Sequence, residues 1–126
     1  TDELVVLTDE RALRQIIINL TNNAIKFTEK GTIRLSADRL RDNDRTLTRI
    51  SVVDTGIGIK LEDQAKLFQA FEQVHDAGRR RQEGTGLGLH LSQKLAGLLG
   101  GYITCESEYG HGSTFSLILK EARHAR

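Results

Sequence analysis

Apolar positions along this chain follow two rhythms. Across residues 10–28, Leu13, Ile16, Ile17, Leu20, Ala24 and Phe27 recur three and four apart, which gathers them on one broad face of a helix. Thr8 or Asp9 stands where an N-cap belongs, and Glu29-Lys30-Gly31 ends the pattern with a C-terminal glycine. Residues 32–37 and 48–53 instead alternate apolar and polar side chains, as strands with one wet face do. The charged, Asp- and Asn-rich stretch 39–45 between them reads as a hairpin loop. A short β-branched segment at 3–7 predicts one more strand. Further helices are predicted over 61–74, with Ala65, Leu67, Phe68 and Phe71 turned inward, and over 87–99. Gly100-Gly101 leads into 102–107, and Tyr109-Gly110-His111-Gly112 into 114–119, which together predict a closing hairpin before a polar tail.

Composition narrows the class without naming a chemistry. The 126 residues suffice for one domain whose core removes about two-thirds of the unfolded surface from water. Eighteen Lys and Arg against seventeen Asp and Glu leave a net charge of +1, so no global field draws nucleic acid or an anionic membrane. Any polyanion site must be local. The single cysteine, Cys105, excludes an internal disulfide and a cysteine-based zinc cluster, and reads as a small apolar residue in a strand, in keeping with a reducing compartment. No apolar run is long enough to span a bilayer, and Thr1-Asp2-Glu3 has neither the basic nor the apolar region of a signal peptide. The expectation is a soluble piece, and its opening just before a strand-like segment reads as a fragment of a longer polypeptide.

Several short stretches break the patterning in ways that building a core does not require. Gly84-Thr85-Gly86-Leu87-Gly88-Leu89 runs straight into the helix predicted from residue 87. Glycines let backbone N–H groups close on an anion, and a helix start adds partial positive charge. Taken alone, such a turn is more often a plain connection. On the long helix, Asn19, Asn23 and Lys26 fall within roughly 60° of one another on a strip flanking the apolar face. Asparagine is a mediocre helix former, and solvated amides are the plain alternative to a site. The second hairpin strand breaks at Asp54-Thr55-Gly56-Ile57-Gly58-Ile59. Residues 74–83 are poor in apolar side chains and carry Arg79-Arg80-Arg81, which by itself reads as a solvated loop.

In chain order, paired amides, Asp-x-Gly-x-Gly, Phe-x-x-Phe and Gly-x-Gly-x-Gly resemble the motifs of one family: the ATP-binding catalytic domain of sensor histidine kinases. That family is a branch of the superfamily that also holds gyrase B, MutL and the large heat-shock chaperones. Asn19-Leu20-Thr21-Asn22-Asn23-Ala24-Ile25-Lys26-Phe27-Thr28 is similar to its N box, and Val53-Asp54-Thr55-Gly56-Ile57-Gly58-Ile59 to its G1 box. Leu67-Phe68-Gln69-Ala70-Phe71-Glu72 is similar to the F box, and residues 84–89 to the G2 box. The likeness continues through Glu106-Ser107 and Gly110-His111-Gly112-Ser113-Thr114-Phe115 and so covers nearly the whole chain. The fold it implies is α/β (α+β), a two-layer sandwich of the Bergerat type. A mixed, mostly antiparallel sheet of about five strands is covered on one face by three helices, with ATP between the long helix and the loop ahead of the glycine turn.

The resemblance also implies roles. A carboxylate at Asp54 can accept the exocyclic amine of adenine and would face the O6 acceptor of guanine. Gly56 and Gly58 match family glycines that pass close to the base, and Phe27 holds the family's aromatic position beside it. Ile59, Phe71, Thr114 and the turn Gly84, Thr85, Gly86, Leu87, Gly88 and Leu89 complete the implied nucleotide contacts. Asn23 is the implied Mg²⁺ ligand, since the triphosphate brings its own negative charge and a neutral amide oxygen suffices. Lys26 is placed near the phosphates, and Arg80, with the register against Arg79 and Arg81 open, near the γ-phosphate. Glu83 departs from the family, which usually has a glycine there.

Asn19 stands where the hydrolysing relatives hold a water-activating glutamate. An amide is no base at neutral pH, so the phosphoryl group is kept for a histidine. His75, His90, His111 and His124 lack the Ser-His-Glu-like setting of the acceptor, which the family carries on a separate dimerising helical hairpin. The implied activity is phosphoryl transfer from Mg·ATP to that hairpin. The implied setting is a cytoplasmic domain with a response-regulator receiver domain downstream, and with no nucleic acid or direct membrane contact. Whether a membrane anchors the parent protein stays open. Two competitors also stay open. Phosphorylation of a supplied acceptor hairpin separates a non-catalytic docking module from a kinase, and steady-state hydrolysis without an acceptor reveals a clamp like gyrase B or MutL.

Overall fold

Asp9 starts the first helix. Its carboxylate accepts the backbone N–H groups of Arg11 at 2.9 Å and Ala12 at 3.3 Å, satisfying two of the donors that a helix start leaves unpaired. The helix that follows, α1 (Glu10–Lys26), carries an ion pair between Glu10 and Arg14 one turn apart on its wet side. Its predicted stripe is the buried one, with Ile16, Leu20 and Ala24 fully enclosed and Phe27 nearly so. The computed structural model describes residues 8–68 and 87–120. The strand expected at 3–7 lies outside them.

The hairpin of β1 (Ile33–Asp42) and β2 (Arg45–Asp54) is longer than predicted. The stretch 39–45, expected as a loop, is strand except for a tight turn at Asn43 and Asp44, where Asn43 takes a φ of 59°, a left-handed conformation that asparagine tolerates. β1 is at the edge of the described sheet, so charged side chains sit on it at little cost. One of them, Asp38, meets Arg49 directly across the pair at 2.7 and 3.1 Å. The closing hairpin of β3 (Gly101–Glu108) and β4 (Gly112–Lys120) joins through β4 to β2, giving the order β1-β2-β4-β3. All three pairings among described residues are antiparallel.

On one face of that sheet lie α1 and α3 (Leu87–Leu98), packed against each other and against β2 and β3. Strand alternation turns Val52, Ile103, Phe115, Leu117 and Leu119 toward them. Burying a side chain of this size contributes roughly 1.5–3 kcal/mol. Gln93 of α3 also reaches β3 at the edge of the described sheet, accepting the Ile103 N–H at 3.0 Å and donating to its carbonyl at 3.3 Å. The second helix, expected over 61–74, is a single turn, α2 (Leu61–Gln64), among the described residues, and its expected remainder beyond residue 68 lies outside them.

Candidate functional site

Asp54 closes β2 with only 4% of its surface exposed. Burial pushes its carboxyl above the ordinary carboxylate range, opposed by the N–H of Gly56, 2.8 Å from Oδ1, and by that of Ser113. The Thr28 hydroxyl faces this carboxylate and also holds its pKa down, although Thr28 Oγ1 is buried and meets no partner at full hydrogen-bond geometry. Asn23 Nδ2 shares that condition. Buried polar atoms are nearly always paired because leaving one unpaired costs about 1–3 kcal/mol. Both orphans belong to the C-terminal end of the N-box segment.

After Asp54 the chain is pressed between two backbones, which explains its glycines. A Cβ on Gly56 would lie 2.1 Å from the carbonyl oxygen of Phe27. Gly58 has a φ of +76°, and a Cβ there would lie 2.3 Å from the carbonyl oxygen of Glu108. Ile57 donates to Phe27 O at 3.1 Å and accepts from Gly110 N at 2.6 Å, so the turn bridges the end of α1 and the β3–β4 turn. Ser107 locks the far side. Its hydroxyl accepts from Ile59 N at 2.8 Å and donates to Gly112 O at 2.9 Å, and its remaining lone pair faces Ser113 Oγ at 2.8 Å. Nearby Cys105 has its thiol pushed up to about 12 by burial and by the Asp54 and Glu106 carboxylates. It stays protonated, with no thiolate chemistry to offer.

Asn19, Asn23 and Phe27 follow one another four apart and form one line along α1, about 6 Å per step. At one end Asn19 Nδ2 donates to Ser92 Oγ at 3.0 Å and to Gly88 O at 3.4 Å, both on the opening turns of α3. At the other end Phe27 O receives the turn after Asp54. Asn23 lies between the two. Lys26 Nζ sits 5.6 Å from the centre of the Phe27 ring at the same end of the helix. The first turn of α3 has no acidic residue to neutralise its N–H groups, unlike that of α1, which has Glu10. His90 Nδ1 lies 3.0 Å from Phe68 O. A carbonyl only accepts, so Nδ1 carries the proton.

Residues 8–123 match the model of the family described as histidine kinase-, DNA gyrase B-, and HSP90-like ATPase. The chain belongs to that family. It is 50% identical over 111 residues to histidine protein kinase 1 of Candida albicans, covering 87% of this chain and 4% of that protein. It is 48% identical over 118 residues to the circadian input-output histidine kinase CikA of Synechococcus elongatus, covering 93% of this chain and 15% of CikA. The chain thus spans a small part of these relatives. Among solved structures, full-length ShkA in complex with AMPPNP superimposes with a TM-score of 0.77 at 36% identity, covering 95% of this chain and 24% of ShkA. The nucleotide-free catalytic domain of histidine kinase ThkA superimposes with a TM-score of 0.76 at 30% identity, covering 98% of this chain and 76% of that one.

Within this ATPase fold, the residues singled out from sequence fall into three groups. Asn23, Lys26, Phe27, Asp54, Gly56 and Gly58 are joined through the end of α1 and the turn after β2, and Gly88 through Asn19. A second group sits elsewhere. Ile59 and Leu89 are buried in the core. Asp54 pairs with Ser113, so alternation turns the side chain of Thr114 to the opposite face of the sheet. Ser113, not Thr114, therefore shares Asp54's side. Phe71, Arg80 with its neighbours Arg79 and Arg81, Gly84, Thr85 and Gly86 form the third group and lie outside the described residues, and Leu87 opens α3. The sequence likeness includes Ser107 and Ser113 but assigns no role to them or to Ser92, since isolated serines leave no periodic signal. No helix among the described residues is long and apolar enough to cross a membrane.

Proposed function

We propose that this ATPase-family chain is the catalytic unit of a sensor histidine kinase. It takes Mg·ATP and passes the γ-phosphoryl group to a histidine on a helical hairpin supplied elsewhere in the parent protein, upstream of a receiver domain. The observation that carries this reading is the line Asn19-Asn23-Phe27 on α1. It ties the opening of α3 to the turn after Asp54 and leaves the unpaired Nδ2 of Asn23 midway between them. Histidine kinase names among the relatives, and the AMPPNP held by ShkA, support the same reading.

Each group fits its assigned partner. The Asp54 carboxylate, already taking the Gly56 N–H, has lone pairs left for the exocyclic amine of adenine, and Thr28 Oγ1 is an unused polar atom beside it. The N–H groups at the start of α3, with Lys26 and in the same role Arg80, would bind the phosphates. Among the described residues no cluster of three or more His, Cys, Asp and Glu could hold a metal, so Mg²⁺ would rest on the Asn23 amide, whose half-turn presents Oδ1 where Nδ2 stands unpaired. Bound there, the ion would neutralise charge on the phosphate oxygens during in-line transfer. Asn19, an amide, leaves water without a base and so spares the nucleotide from hydrolysis.

The test uses the full-length protein with γ-labelled ATP. The wild type should acquire acid-labile, alkali-stable label on a histidine, and Asn23→Ala should acquire none. Absence of label on the wild type would refute the kinase assignment, and normal labelling of Asn23→Ala would remove Asn23 from the metal site.

A further inference from the structure

The carboxamide of Asn19 is committed. Its two amide protons go to Ser92 Oγ and Gly88 O, at 3.0 and 3.4 Å, and its oxygen accepts from Gln15 Nε2 at 2.9 Å. Asn19 therefore turns to α3 and presents no donor to the neighbouring Asn23. The two groups it holds lie one turn apart on α3, so one side chain fixes both the height and the rotation of that helix against α1. Ser92 is fully buried and is Asn19's side-chain partner on α3.

The geometry points to Ser92 as a positioning residue for the phosphate end of the site. By receiving Asn19, its hydroxyl holds the opening N–H groups of α3 at the level of α1 where Asn23 follows one turn later. The base end is fixed separately, by Phe27, Gly56 and Ser107. This inference rests on the nucleotide reading above and predicts a split that general loosening of the fold would not produce. Loss of the Ser92 hydroxyl should weaken recognition of the triphosphate and leave recognition of the nucleoside intact.

The experiment measures binding of AMPPNP and of adenosine by calorimetry to the full-length protein and to Ser92→Ala, with melting temperature as a check on folding. The expected result is about a tenfold loss of AMPPNP affinity, the scale of one hydrogen bond, with adenosine affinity unchanged within about twofold. Equal weakening of both ligands, or unchanged AMPPNP binding, would overturn the inference. A wild type that binds neither would instead overturn the nucleotide reading. Should Ser92→Ala fail to fold, Ser92→Cys carries the same test, since a thiol is small, suits a buried site and accepts only weakly. It should lose AMPPNP affinity severalfold, and wild-type affinity for AMPPNP in that variant would overturn the inference.

Discussion

Replacing Asp54 with asparagine should separate two consequences of one buried charge. The substitution keeps shape, and the amide oxygen can still accept the Gly56 N–H that now lies 2.8 Å from the carboxylate. What it loses is an anionic acceptor for the adenine amine. A hydrogen bond to a charged group is worth about 1.5–3 kcal/mol, which corresponds to roughly 10- to 150-fold weaker binding. Stability should move the other way. Burial is the largest influence on Asp54 and raises its pKa, so the folded chain holds this proton to higher pH than the unfolded chain does. The resulting penalty is absent below the unfolded pKa, grows as pH rises between the unfolded and folded values, and is constant above them. The new amide N–H also faces the partnerless Thr28 Oγ1. Satisfying it contributes about 1 kcal/mol, or roughly 4 °C in a domain of this size. Asp54→Asn should therefore melt above the wild type at neutral pH without nucleotide, and the difference should shrink as pH falls toward 4. Thermal melts across pH, paired with calorimetry, test both halves. A variant that melts lower at neutral pH would refute desolvation as the dominant influence, and unchanged ATP affinity would refute the base contact.

Two further substitutions probe the frame around the site. Gly56→Ala places a methyl group 2.1 Å from the Phe27 carbonyl oxygen, where neither backbone can yield freely. A loss of about 1–3 kcal/mol is expected in urea unfolding, and a wild-type midpoint would show that the turn is not pressed against α1. Ser107→Ala strips the acceptor from Ile59 N and the donor from Gly112 O, for a loss of about 1–3 kcal/mol. Faster amide exchange at Ile59 should accompany it, and unchanged exchange would count against the hydroxyl as the lock.

Sequence carried the frame better than its details, for reasons visible at single residues. Ile16, Leu20, Ala24 and Phe27 announce α1 because a helix that buries one face must repeat its apolar positions at that spacing. The hairpin was read short because Arg39, Arg41 and Arg45 sit toward the outer end of β1 and β2, where one strand is the edge of the described sheet and polar side chains need no burial. Asp54 stands out in the sequence as the carboxylate that ends a strand before two glycines, whereas the side chain that shares its face on β4 does not. Choosing Ser113 over Thr114 requires the strand register, and one residue of slip exchanges the faces. Gly56 and Gly58 match family glycines in sequence, and the backbone neighbour that leaves each no room for a side chain becomes visible only in the fold.

The central claim is that the end of α1, the turn after β2 and the opening of α3 surround one adenine nucleotide. Amide chemical-shift mapping of the protein titrated with AMPPNP and Mg²⁺ tests it directly. The account predicts the largest shifts at Asn23, Phe27, Asp54, Gly56 and Gly88, saturating together, with the side-chain amide of Asn23 among them. Shifts that leave these residues unmoved, or that saturate separately at α1 and at the turn after Asp54, would contradict it.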